Sequence, residues 1–259
     1  MTDSHHTPTS EGAPDAGDAP MSPRGKQFVK FTFYRVADAL RGASDAERAS
    51  AGQRLRDHIE ASEDRMLTRA YSTVGTRADT DFMVWQVADD LDAITDWHSE
   101  LLASPLAPVL ERPHSYLSMT MRSIYENPLH TRAPGDAGRD RLRPDDSAAK
   151  YLFVYPMVKT RPWYELPKAD RQRIMDEHIA IGHRYHGIRI NTTYSYGLDD
   201  QEFVVAFEGD DPGEFLALVR DLRDSVSSSY TERDTPMFTC RRMAPEALVA
   251  HIGLSPQER

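Results

Sequence analysis

The segment RQRIMDEHIAIGHRY contains the histidine, His178, whose neighbours most strongly suggest chemistry. If this segment is helical, the side chains beside His178 come from positions three, four and seven residues away. These positions are largely apolar, and one of them is Gly182, which leaves space beside the imidazole ring. A histidine in such a stripe suits an axial ligand to a metal that carries a large flat group. A core histidine that bonds a backbone carbonyl is the structural alternative, and the helix alone leaves both open.

A second chemical pattern lies on the predicted strand YLFVYPMVK, residues 151–159. Strand alternation puts Tyr155, Met157 and Lys159 on one face, where a purely structural strand would carry aliphatic side chains. Such a face could line a pocket for a large, partly apolar anion, with Lys159 meeting a carboxylate at the mouth. A packed strand whose lysine emerges into water is the alternative. Trp163, shortly afterwards, fits either a lid or a core position.

Composition limits the classes of function. The 259 residues include 31 Lys and Arg against 41 Asp and Glu, a formal net charge of −10. Nucleic-acid binders and peripheral membrane proteins need a basic surface, so this balance argues against both. No apolar run reaches the roughly 18 residues of a membrane span. The single cysteine, Cys240, excludes an intrachain disulfide framework, and we expect a reducing, cytoplasmic setting.

The predicted elements follow the order β-α-β-β-α-β twice. In the first half we predict strands at 28–34, 66–74, 81–87 and 116–122 and helices at 44–64 and 90–103. In the second half we predict strands at 151–159, 190–196, 202–208 and 237–242 and helices at 168–185 and 212–225. The segments YSTVG and DFMVWQV of the first half resemble YSYG and EFVVAFE of the second. The fold class is therefore α+β, with two ferredoxin-like domains of antiparallel sheets and helices on one face.

The domain boundaries follow from composition. Residues 1–25 have almost no aliphatic bulk and are expected to be a disordered tail. The first domain covers 26–126, a long interdomain loop 127–149, the second domain 150–243 and a C-terminal tail 244–259. Loops as long as 127–149 are usually functional or disordered.

Four segments together resemble the chlorite dismutase superfamily, and within it the branch of the coproheme decarboxylases. These segments are YPMVKTRPWYELP (155–167), MDEHIAIGH (175–183), NTTYSYGLDDQEFVVAFE (191–208) and RDTPMFTC (233–240). The resemblance covers about residues 26–243. Tyr155 and His178 are 23 residues apart, which agrees with the family's spacing of catalytic tyrosine and haem-ligating histidine.

The resemblance implies a dimeric α/β-barrel type of sheet, a porphyrin bound by the C-terminal domain and a ring of subunits, typically a homopentamer. His178 would be the axial iron ligand, with its other ring nitrogen hydrogen-bonded to stay oriented. Tyr155 would be the redox-active phenol that abstracts hydrogen from a propionate β-carbon. Lys159 would hold or protonate a propionate.

Further residues acquire roles in the same way. Met157 and Trp163 would border the porphyrin. Ser227 and Arg141 match positions that contact propionates in relatives, although Arg141 lies in the interdomain loop.

One departure from the family decides the subclass. Chlorite dismutases carry a distal arginine seven residues before the glycine of the GLDD turn, and here that position holds Ile190. Arg189 is adjacent, but a shift of one residue along a strand points a side chain to the opposite face. Chlorite chemistry is therefore disfavoured. The distal histidine that some actinobacterial decarboxylases use as a base would fall on Gly138, and His130 is a substitute candidate.

The residues and the resemblance leave three candidate functions. The first is hydrogen-peroxide-dependent decarboxylation of iron-coproporphyrin III (coproheme) to haem b. The second is a haem b-dependent peroxidase of the same fold, and the third is a haem carrier or sensor without turnover.

Overall fold

The computed structural model describes residues 26–62, 65–121, 123, 125, 142 and 149–255. Within them the strands are β1 Phe28–Val36, β2 Leu67–Ser72, β3 Phe82–Ala88, β4 Leu110–Met119, β5 Tyr151–Lys159, β6 Arg189–Tyr194, β7 Phe203–Gly209, β8 Thr231–Arg233 and β9 Phe238–Met243. The helices are α1 Asp38–Arg41, α2 Asp45–Glu60, α3 Leu91–Ala103, α4 Arg161–Glu165, α5 Lys168–Gly182, α6 Pro212–Arg223 and α7 Pro245–His251. Short 3-10 turns cover Ala107–Val109 and Val226–Tyr230.

The strands form one antiparallel sheet in the order β7-β6-β4-β1-β3-β2-β9-β5-β8, and pairing of β5 with β7 closes it into a ring. In the first half β1 lies between β3 and β4, and β2 pairs with β3. In the second half β5 likewise lies between β7 and β9, and β6 pairs with β7. This repeated arrangement confirms the α+β class with two ferredoxin-like units. The assigned domain boundaries remain predictions.

Hydrophobic side chains collect in three clusters that this sheet separates. One cluster, inside the ring, receives Leu152 and Val154 from β5. A second lies under the helices of the first half. The third lies between the sheet and the helices of the second half and contains Phe153 and Tyr155. The predicted alternation along β5 is therefore confirmed, and Tyr155 faces the helices rather than the interior of the ring.

Local sequence explains where the long helices begin. Ser44 accepts a hydrogen bond from the backbone of Glu47, whose side chain accepts one from the Ser44 backbone in return, so α2 begins with a capping box. Asp90 and Asp211 cap α3 and α6 with their carboxylates. None of the helices in the described part of the chain is both long and apolar enough to cross a membrane.

The sequence-based prediction lacked the short elements α1, α4 and β8, and it differs most from the structure in two other regions. Strand β4 begins at Leu110, six residues earlier than expected, because pairing with β1 extends it through a charged, proline-containing stretch that shows no alternation. Within the predicted C-terminal tail, residues 245–251 form α7. Its Leu248 and Val249 are buried in the cluster of the first half. The α7 segment packs against α2 and β2, which are distant from it in sequence, so local patterns did not indicate it. The tail predicted for residues 1–25 lies outside the described residues.

Gly52 permits this docking of the chain end. A Cβ atom added to Gly52 would lie 2.0 Å from the backbone oxygen of Leu254. Alanine normally favours a helix interior over glycine, by up to about 1 kcal/mol. We expect the opposite sign here: Gly52→Ala should lower the free energy of unfolding by about 1–3 kcal/mol because the overlap forces the two segments apart.

Urea unfolding measures this effect, and Gly42→Ala is the control. At Gly42 the nearest atom to an added Cβ is 3.6 Å away, so that variant should unfold near the wild-type midpoint. A stabilised Gly52→Ala variant would show that the contact with Leu254 is not maintained.

Candidate functional site

His178 lies in the middle of α5, on the side of the helix that faces the rest of the domain. Its Nδ1 atom is buried and has no hydrogen-bond partner among the described residues. Burial and, to a smaller extent, the positive charge of Lys159 lower the pKa of His178 to about 4. The imidazole is therefore neutral at neutral pH and carries a lone pair that can bind a metal. The expected hydrogen bond from a protein group to the ring nitrogen that does not bind the metal stays a prediction.

Lys159 ends β5 as a buried ammonium group. Its Nζ donates to the backbone oxygen of Ser227 at 3.0 Å and to Ser227 Oγ at 3.1 Å. The Nζ also lies 4.9 Å from the ring centroid of Trp163. Burial lowers the pKa of Lys159 to about 8, while Glu202 opposes the change. Three residues that the sequence analysis selected separately are thus brought into contact.

This group is connected to the helix of His178. Ser227 Oγ lies 3.7 Å from the sulfur of Met175, which precedes His178 by three residues on α5. Helical spacing puts Met175 and His178 on the same side of the helix. The 3-10 turn that carries Ser227 therefore joins the end of β5 to the inner side of α5.

Tyr155 and Met157 lie on the face of β5 that is turned toward the helices. Tyr155 is buried and stacks on Phe207 of β7 with ring centroids 5.9 Å apart. Burial raises the pKa of Tyr155, and the charge of Asp234 raises it further. The phenol therefore keeps its proton at neutral pH. Met157 is half-buried and packs against the same cluster.

Ile190 lies on strand β6, opposite Phe207 of β7, and is 46% exposed. A Cβ atom on Gly182, one turn after His178, would lie 3.5 Å from Ile190 Cδ1. Ile190 therefore faces the helix of His178. Arg189 extends the other way and lies 3.9 Å from Glu208, so the predicted reversal between adjacent strand residues is confirmed.

The residues present fit a flat, apolar group that carries a metal and carboxylates. The imidazole of His178 is neutral and has an orphaned nitrogen, and a buried ammonium lies within its electrostatic reach. The apolar cluster that contains Tyr155 and Met157 lies between the sheet and the helices of the same half. An iron porphyrin would be held through its metal by His178. Lys159 and Ser227 would hold a propionate at the edge of such a group.

Three candidates cannot be placed. Arg141, Gly138 and His130 all lie outside the described residues. Their predicted roles, propionate contact for Arg141 and distal base for His130, stay predictions.

A polar group that the sequence analysis did not select lies behind Lys159. Glu202 accepts hydrogen bonds from the Lys159 backbone at 2.8 Å and from the Tyr164 hydroxyl at 2.6 Å. The hydroxyls of Tyr164 and Tyr196 are 3.0 Å apart. Pairing of β5 with β7 brings Glu202 to Lys159, and no local pattern at residue 202 indicates that contact.

Comparisons with known proteins agree with this fold. A family model described as chlorite dismutase matches residues 48–243. The coproheme decarboxylase of Mycolicibacterium smegmatis is 28% identical over 228 residues, which cover 87% of this chain and 94% of that protein. A coproheme decarboxylase of Thermus thermophilus is 33% identical over 190 residues, 71% of this chain and 74% of that protein.

A solved structure gives the same picture of the backbone. Chlorite dismutase from Candidatus Nitrospira defluvii in complex with imidazole has a TM-score of 0.75 and covers 87% of this chain and 94% of its own. The two sequences are 18% identical, so this similarity bears on the fold alone.

The low pKa of His178 predicts how the apoprotein responds to acid. The unfolded chain has an ordinary histidine pKa of about 6.5, so between that value and about 4 it binds more protons than the folded chain. Stability therefore falls as pH falls through this range. Between pH 6.5 and 4.5, we expect the free energy of unfolding of the wild type to fall by about 2 kcal/mol more than that of His178→Leu.

Urea unfolding of both apoproteins at several pH values provides the measurement. His98, whose pKa burial also lowers to about 4, is present in both proteins and cancels in the comparison. Parallel pH profiles would show that His178 is not held neutral by the fold.

Proposed function

The chain belongs to the chlorite dismutase family, and on that basis we propose that it is an enzyme that converts coproheme to haem b with hydrogen peroxide. The observation that carries this proposal is the neutral, unpartnered His178 beside the buried ammonium of Lys159. That pair suits a substrate that is apolar and metal-bearing at its centre and anionic at its edge. Relatives named coproheme decarboxylase support the same substrate.

The overall reaction fixes what the residues must do. Each reacting propionate loses carbon dioxide and two hydrogen atoms to become a vinyl group, while one peroxide is reduced to two waters. When bound, the iron porphyrin supplies the redox centre that peroxide oxidises. Tyr155 supplies the hydrogen-abstracting group as a phenoxyl radical, and its burial excludes water from that radical.

The other side chains bind and orient. His178 holds the substrate through its iron, and Met157 and Trp163 border it. Lys159 and Ser227 hold a propionate, and the ammonium offsets the charge that the acidic chain would otherwise oppose. Ile190, at the position where the resemblance implies the distal arginine of chlorite dismutases, provides no cation to hold chlorite.

The proposal also includes the homopentameric ring that the resemblance implies, the cytoplasmic location that the single cysteine suggests and the domain boundaries that composition indicates.

Removing the Tyr155 hydroxyl separates binding from chemistry. We expect Tyr155→Phe to bind coproheme with near wild-type affinity and to release no carbon dioxide when peroxide is added, because the hydrogen-abstracting hydroxyl is removed. Binding is measured by the porphyrin's Soret absorption and turnover by carbon dioxide release.

Tyr151→Phe is the matched control, since Tyr151 lies on the same strand four residues earlier and stacks on Phe153 at 6.2 Å. That variant should turn over like the wild type. Full turnover by Tyr155→Phe would refute the role given to this phenol.

Lys159 predicts a pH dependence of substrate binding. With its pKa lowered to about 8 by burial, the free protein loses the ammonium charge as pH rises above that value. We expect coproheme affinity to fall roughly tenfold between pH 7 and 9.5, the effect of losing one charge-assisted hydrogen bond. Lys159→Met should bind more weakly at pH 7 and show no such fall. Equal slopes in the two proteins would assign the dependence to another group.

A further inference from the structure

We propose that Arg171 is a second cation that binds a carboxylate of the tetrapyrrole substrate. This inference rests on the proposed function, because it names a further contact of the same substrate. Nothing in the sequence patterns selected Arg171, and its helical spacing from His178 is the signal that could have found it.

Arg171 lies on the side of α5 that carries His178. The two residues are seven positions apart, which is close to two helical turns, and Met175 lies between them. The rise along the axis from His178 to Arg171 is about 10 Å, so the guanidinium is positioned for the periphery of a group centred at His178. Arg173, on the outer side of the same helix, has a side chain that is 73% exposed.

The guanidinium of Arg171 is incompletely satisfied. Its Nε atom is buried and has no hydrogen-bond partner among the described residues. The guanidinium lies close enough to the Tyr125 hydroxyl to lower the pKa of that group, although burial raises the pKa overall and keeps the phenol neutral. None of the described carboxylates forms an ion pair with Arg171. A partly buried charge without a counter-ion is unfavourable, and a carboxylate that meets the guanidinium would supply the missing charge and acceptors.

A row of aromatic rings connects Arg171 to Lys159. Tyr125 and Trp163 have ring centroids 6.3 Å apart, and the ammonium of Lys159 lies over Trp163. The two cations therefore stand at opposite ends of this row, on α5 and β5. A ligand with several carboxylates on a wide, flat, apolar body can reach both ends, whereas a small anion such as phosphate can satisfy only one.

The chemistry favours a carboxylate specifically. A guanidinium presents paired N–H donors that match the two oxygens of a carboxylate, and the contact strengthens when water is excluded. Arg171 would act as a binding residue, and the reacting hydrogen atom and electrons do not pass through it.

The experiment measures binding rather than turnover. Wild type, Arg171→Leu and the control Arg173→Leu are titrated with iron coproporphyrin III and with its tetramethyl ester, which has no carboxylate charge. We expect Arg171→Leu to weaken binding of the tetra-acid roughly 10- to 100-fold, the effect of losing a hydrogen-bonded charge. Its affinity for the ester should stay unchanged, and Arg173→Leu should bind both ligands as the wild type does.

Two results would overturn the assignment of Arg171. One is an unchanged affinity of Arg171→Leu for the tetra-acid, and the other is an equal loss for acid and ester, which would mean that the side chain only supports the pocket. If Arg171→Leu does not fold, Arg171→Gln replaces it, because glutamine can still donate to Tyr125 while carrying no charge. A wild type that binds neither ligand would refute the proposed function together with this inference.

Discussion

Burial of two ionisable side chains, His178 on α5 and Lys159 on β5, is the constraint on which the site depends. It keeps His178 neutral and forces the charge of Lys159 to find partners inside the protein. The backbone and hydroxyl of Ser227 and the ring of Trp163 provide those partners. Two short elements, α4 and the 3-10 turn at Val226–Tyr230, position them. The ammonium of Lys159 and the neutral imidazole of His178 are both buried, so neither group can regain the hydration that it would have in water.

Strand β5 provides the rigidity that such a site requires. It pairs with β7 along one edge and with β9 along the other, and both of its faces are covered by apolar side chains. A shift of one residue in the pairing register of β5 would point the Tyr155 side chain to the inside of the ring of strands. Its sequence neighbours would then face the helices. The closed sheet therefore fixes the phenol, the thioether and the ammonium on one face, as rigid elements do for well-ordered sites.

Sequence patterns were sufficient where the signal is local. The alternation of YLFVYPMVK predicted the bounds of β5, and the helical pattern around His178 predicted the start of α5. They were insufficient where distant segments meet. The bond from Tyr164 to Glu202 and the burial of α7 depend on how the sheet closes. Arg171 was missed for a different reason: a charged residue on a helix resembles a solvated one until the buried Nε is seen. Resemblance to a family supplied the roles of Ser227 and Tyr155, which no local pattern indicates.

The central claim is that the site formed by His178 and Lys159 accepts coproheme as a substrate and not only as a ligand. The most direct measurement adds hydrogen peroxide to the wild-type protein loaded with coproheme and determines the masses of the porphyrins over time. The account predicts that coproheme disappears while a porphyrin lacking two carboxyl groups, with the mass of haem b, accumulates. Recovery of bound but unaltered coproheme, together with peroxide-dependent oxidation of small reductants by the haem b form, would contradict it.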